Sequence, residues 1–66
     1  MENIYEEYLL EERLMKATDV ARILNISRAL SYRLLESGQI PVVRINRTVR
    51  VKPSDLKRYI EMQRFS

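Results

Sequence analysis

Ser27-Arg28-Ala29-Leu30-Ser31-Tyr32-Arg33-Leu34-Leu35-Glu36-Ser37-Gly38 reads as a short helix with two unlike faces and a signal at each end. Ser27 suits an N-cap, because its hydroxyl can accept from a free amide of the first turn. Gly38 suits the left-handed conformation that closes a helix. Helical periodicity gathers Leu30, Ser31 and Leu34 on one side, with Leu35 at its margin, and Arg28, Ala29, Tyr32, Arg33 and Glu36 on the other. The first side is a core face. The second offers two guanidinium forks and a phenol, groups suited to a surface that lies against a polyanion and reads it. Taken alone the pattern favours an ordinary solvent face, so its neighbours decide.

Upstream, Leu14 and Met15 read as a short extended entry. Ala17 to Leu24 then form a helix with Val20, Ala21, Ile23 and Leu24 apolar at three- and four-residue spacing. Asp19 falls in its first turn, where a negative charge favours the helix dipole. Asn25-Ile26 breaks the pattern just before Ser27. Two short helices joined by about three residues have the spacing of a helix-turn-helix. Ile26 is placed to plug the angle between them.

Downstream of Gly38 the apolar period changes from 3.6 to 2. Val43 and Ile45 alternate with Val42 and Arg44, Asn46-Arg47 interrupts, and Val49 and Val51 alternate with Thr48, Arg50 and Lys52. This is a hairpin signal. Asn accepts a left-handed turn position better than Arg does, so a turn longer than two residues is expected. Arg44, Arg47 and Arg50 sit on or beside the protrusion, and a basic hairpin following a helix-turn-helix is a wing. Lys52-Pro53-Ser54-Asp55 starts a last helix, with Pro53 in the first turn or Ser54 as cap. Leu56, Tyr59 and Ile60, with Met62 or Gln63, are its core-closing positions.

The composition narrows the chemistry. Sixty-six residues, 45% apolar, make one small domain with too little interior for a sizeable catalytic cavity. The chain has neither cysteine nor histidine, which removes disulfides, thiolate nucleophiles and the usual zinc ligands together. No enzymatic role and no cofactor or metal is expected. No apolar run nears the length that spans a bilayer, and no basic leader precedes an apolar stretch, so a soluble, cytoplasmic protein with no membrane partner is expected. The net charge of +3 hides a division: residues 1–14 carry five glutamates against Arg13, and residues 15–66 carry eleven Lys or Arg against Asp19, Glu36, Asp55 and Glu61. Such a basic body predicts affinity for nucleic acid or an anionic surface.

Residues 2–13 are good helix formers, with Ile4, Tyr5, Tyr8 and Leu9 on one stripe. The expected layout is a single domain over 1–66, with an acidic helix over 1–13 and a winged helix-turn-helix over 14–62. The acidic helix suits a lid on the basic domain, a partner-docking element, or a segment that trims non-specific DNA binding.

From Leu14 to Ile60 the chain resembles the excisionase-type helix-turn-helix domain, a small winged relative of the DNA-binding head of the MerR regulators. The matching positions are Asp19-Val20-Ala21 and Leu24; Ile26-Ser27 and Tyr32-Arg33-Leu34-Leu35; Gly38-Gln39-Ile40-Pro41; Arg44-Ile45 and Arg50-Val51; and Asp55-Leu56 with Tyr59-Ile60. The order and spacing carry the likeness more than any one piece. Three positions depart from the family pattern. Lys16 stands where Ser or Thr usually caps the first helix, leaving Thr18 as a substitute cap. Asn46 replaces a wing glycine, and Leu30-Ser31 replaces a Thr-Val pair. A serine on the core face calls either for a bond back to the Ser27 carbonyl or for a helix slightly rotated from the family pose.

The resemblance implies a fold, mainly α with a small β-hairpin, and a role: binding repeated duplex sites beside a recombination junction, bending DNA and assisting an integrase in excision. Promoter regulation is the alternative within the same fold, and a protein-interaction module the alternative of another class. The small size and the lack of a second, effector-sensing domain favour the recombination role. A domain of this size reads few base pairs, so partners are expected beyond double-stranded DNA: an integrase, or further copies bound cooperatively. The second helix is expected in the major groove, with Arg28, Tyr32 and Arg33 at or near base edges and either Arg28 and Tyr32 or Ala29 and Arg33 deepest according to the helix rotation. Ser27 and Lys16 are expected on phosphate, and Arg44, Arg47 and Arg50 on the backbone or a narrow minor groove.

Overall fold

The computed structural model describes residues 13–64; the expected acidic helix, Arg13 apart, lies outside them. Three helices and a hairpin follow in order: α1 (Ala17–Leu24), α2 (Arg28–Glu36), β1 (Val43–Ile45), β2 (Thr48–Arg50) and α3 (Pro53–Gln63). This is a small winged helix-turn-helix.

Local chemistry explains where each element begins and ends. At α1 the cap comes from an unexpected residue: Lys16 is the N-cap, and the Asp19 carboxylate reaches back to accept from the Lys16 amide at 3.0 Å. Neither Lys16 nor Thr18 supplies the capping side chain. Asn25 closes α1 in the left-handed region at φ 58°, its amide donating to the Arg22 carbonyl, while the Ile26 amide donates to Ala21 at 2.9 Å. This paired closure is the Schellman arrangement, and it half-buries Ile26 in the turn between the helices. Ser27 caps α2 as expected, accepting from the Leu30 amide at 3.1 Å. Gly38 sits at φ 85°, a conformation that costs an L side chain about 1–2 kcal/mol. Lys52 caps α3 with Pro53 at its first turn, so Ser54 is not the cap.

The core consists of Ala17, Val20, Leu35, Ile40, Val51 and Leu56, with Met15, Leu24, Leu34, Val42, Val49 and Tyr59 packed against it. Met15 and Val51 exchange both backbone hydrogen bonds at 2.9 Å, so the extended entry strand is tied to the end of the hairpin. Ile23, Ile60 and Met62, read as core positions from their spacing, are exposed at 55, 36 and 66%. The small body buries one stripe of each helix, and these side chains fall off the stripe.

Ser31 is the side chain that sets how α1 and α2 meet. It is completely buried, and its hydroxyl donates to the Ala17 carbonyl at 2.8 Å, across the two helices. The expected bond from the hydroxyl back to the Ser27 carbonyl is not made; the Ser31 backbone amide makes the helical bond to Ser27. Ala17, Ala21 and Ser31 are all small and buried, so the helix backbones approach closely. Ser31→Ala is expected to lower stability by about 1 kcal/mol, read from urea unfolding. The bonded hydroxyl is lost, but the Ala17 carbonyl keeps its place in the α1 ladder.

The hairpin turn is shorter than expected. Ile45 pairs with Thr48, Arg44 with Val49 and Val43 with Arg50, leaving a two-residue turn at Asn46-Arg47. Asn46 alone takes positive φ, at 56°, so Arg47 is spared that conformation. The Thr48 hydroxyl donates to the Ile45 carbonyl at 2.7 Å and braces the turn. This register also corrects the facing of β1. Residues paired across a hairpin share a face, so Val43 and Ile45 lie with Thr48 and Arg50 on the outer side. Val42 and Arg44 lie with Val49 and Val51 on the core side. Ile45 is accordingly 48% exposed.

Candidate nucleic-acid interface

The rotation of α2 follows from its buried stripe. Ser31 and Leu35, one helical turn apart, are buried, Leu34 is half-buried, and Leu30 is 37% exposed instead of lying in the core. The core-facing side is therefore turned from the Leu30 side toward Leu35. Ala29 and Arg33, also one turn apart, lie on the side directly away from it. Glu36, seven residues after Ala29, shares that outward side, Tyr32 lies at its edge, and Arg28, seven residues before Leu35, lies in line with Leu35 at the exposed start of the helix; all five are exposed.

Among the described residues, three concavities border α2. The first is formed by Thr18, Ala21, Arg22, Asn25, Ile26 and Arg28, where the end of α1 meets the start of α2. It brings Arg22 beside Arg28, a pairing that sequence distance hid. The second lies between α2 and the hairpin, lined by Tyr32, Leu35, Glu36, Arg44 and Val49. The third joins Lys16 and Thr18 of the α1 start to Tyr32 and to Arg47 and Arg50 of the wing. Eight of the nine expected contact residues thus line one of these hollows or the outward side of α2. Ser27, the ninth, is exposed at the start of α2, its hydroxyl oxygen engaged as the cap.

The three wing arginines diverge. Arg44 is on the core side of the hairpin near Tyr32 and Glu36, Arg47 is at the exposed tip, and half-buried Arg50 folds back so that its Nη1 donates to the Val49 carbonyl at 3.0 Å. Among the described residues, Lys16, Arg22, Arg28, Arg33, Arg44 and Arg47 form no ion pair; the described pair is Arg64 with Glu61 at 3.1 Å, an exposed contact one helical turn apart. Cations left without an ion pair among the described residues add little to intrachain stability and are available to an outside polyanion.

Sequence reasoning did not single out Arg22, Thr18 or Asn25 as part of this surface. Thr18 and Arg22 are spaced i, i+4 and so share a face of α1, which was the available signal. Among the described residues, no group of His, Cys, Asp and Glu is gathered as a metal site needs, and no helix is long and apolar enough to cross a membrane.

No curated protein and no solved structure matches the chain. The family model described as a helix-turn-helix domain matches residues 14–64, nearly all of the described body, with all three helices and the wing. The chain therefore belongs to the helix-turn-helix domain family, a family of excisionase-like DNA-binding domains.

Proposed function

We propose that this protein binds double-stranded DNA sequence-specifically, as an excisionase or recombination directionality factor that bends DNA to assist an integrase. The observation that carries the DNA reading is the outward side of α2, where Arg33 and Ala29 face directly away from the core, next to a wing whose tip arginine, Arg47, forms no ion pair among the described residues. A helix of this width enters the major groove, and a guanidinium on its exposed side can bond two acceptors of one guanine. The narrow hairpin lies along the neighbouring minor groove. The recombination role rests on the residue-by-residue resemblance over 14–60, and regulation of a promoter is the other role open to the same contacts.

Footprinting on DNA flanking the encoding gene tests the role. Protected direct repeats beside a recombination junction support it, and a single operator at a promoter replaces it with regulation. For the wing, Arg47→Ala is expected to weaken selected and random duplexes by the same factor. It should also lower the slope of log affinity against log salt by about 0.9. Anisotropy titrations across a salt series measure both, and an unchanged slope would remove Arg47 from the phosphate contacts.

A further inference from the structure

The concavity between the start of α1 and the wing is chemically one-sided. Lys16 supplies an ammonium, Arg47 and Arg50 supply guanidiniums, Thr18 a hydroxyl and Tyr32 a half-exposed phenol, and no carboxylate lines it. The carboxylate nearest in the chain, Asp19, is turned to the Lys16 amide at 3.0 Å. Arg50 spends Nη1 on the Val49 carbonyl, leaving other N–H groups of its fork. The first amides of α1, at Ala17 and Thr18, have no acceptor within the helix, and the positive end of its dipole lies at the same place.

Three cations and several hydroxyls gathered without a carboxylate favour a ligand that is anionic and rich in acceptors. Base edges mix donors and acceptors, whereas the oxygens of a phosphodiester only accept and carry charge. We infer that this concavity is a clamp for the DNA backbone, and that Tyr32 belongs to it, donating its phenol proton to a phosphate oxygen instead of reading a base. This deepens, and rests on, the proposed duplex binding. It divides α2 by role: Arg33 and Arg28 carry sequence preference, while Tyr32 fixes how the wing and helix straddle one strand. The hollow measures about 390 Å³ and is open to solvent, which suits a stretch of sugar–phosphate chain more than a buried single ion.

Tyr32→Phe, Lys16→Ala and Arg47→Ala remove exposed groups that make no hydrogen bond or ion pair among the described residues, so their unfolding midpoints should match the parent and report intact folding. Two probes suffice: a short random-sequence duplex, and the duplexes the parent selects from a random pool. Tyr32→Phe is expected to weaken binding to both by a common factor of about ten, to select the same bases as the parent, and to keep the parent's salt slope, because a phenol displaces no counterion. Lys16→Ala should lower that slope by about 0.9, as a lost phosphate contact does. A changed base preference in the Tyr32→Phe selection overturns the clamp in favour of base reading. Parent-like binding by Tyr32→Phe, or a parent-like slope in Lys16→Ala, overturns it as well. If the parent itself shows no salt-dependent binding to either duplex, the DNA function fails first, a result visible before any variant is made.

Discussion

Leu35→Ala is expected to cost about 2–5 kcal/mol and to leave much of the protein unfolded. Leu35 is 3% exposed and stands one helical turn beyond Ser31, so it is the main apolar anchor of α2 in the core. Alanine there removes buried methyl groups and opens a cavity between α2, Val20 and the hairpin residues that share that core. A domain of this size has a total stability of a few kcal/mol, at roughly 0.05–0.15 kcal/mol per residue, so the loss is comparable with the whole. Urea unfolding followed by circular dichroism measures it, with Leu35→Met as the control expected to lose under about 1.5 kcal/mol. A loss under about 1 kcal/mol in the alanine variant would show that α2 is held in place by something other than this side chain. DNA binding should fall with the folded fraction and recover when added duplex stabilises the folded form.

Arg33→Ala is expected to be the most damaging change that leaves the fold intact. Arg33 is exposed, makes no described side-chain bond, and lies on the side of α2 opposite Ser31 and Leu35. Its removal should cost about 1–3 kcal/mol on a selected duplex and relax the preference at one base pair, while random duplex loses only the charge contribution. Arg28→Ala should cost less on the selected duplex, because Arg28 lies well round the helix from that direction, in line with Leu35, and lines the hollow with Arg22. Competition titrations with selected and scrambled duplexes check both. Equal losses on the two duplexes for Arg33→Ala would reassign Arg33 to the phosphates.

The punctuation of this fold was open to reading in the sequence because it is made by contacts between near neighbours in the chain. Ser27 caps α2 through an amide three residues on, Gly38 lies in the left-handed region, and α1 spans Ala17–Leu24 as its apolar spacing implied. Lys52-Pro53 begins α3 for the same reason. Where the reading went astray, more than one local answer was available: at Lys16 the cap came from Asp19, three residues away, and at Asn46-Arg47 one positive φ sufficed for a two-residue turn.

Residue polarity could not decide which residues face inward. Helical spacing put Leu30 and Ser31 together on the core side, yet the apolar Leu30 is exposed and the polar Ser31 wholly buried. The reason is distance: where α1 and α2 cross, only small side chains fit, and Ser31 alone in α2 is small and carries a donor for the Ala17 carbonyl. That contact, fourteen residues apart in the chain, turns α2 so that Ala29 and Arg33 face outward. The hairpin register likewise put Arg44 on the inner side and Ile45 on the outer one. The chain by itself thus determined the elements, their order and the basic character of the body. Tertiary packing alone decided how far α2 is turned, and so which of its outward residues face directly away from the core, and which of the dispersed cations meet in one hollow, because both depend on residues brought together from separate elements.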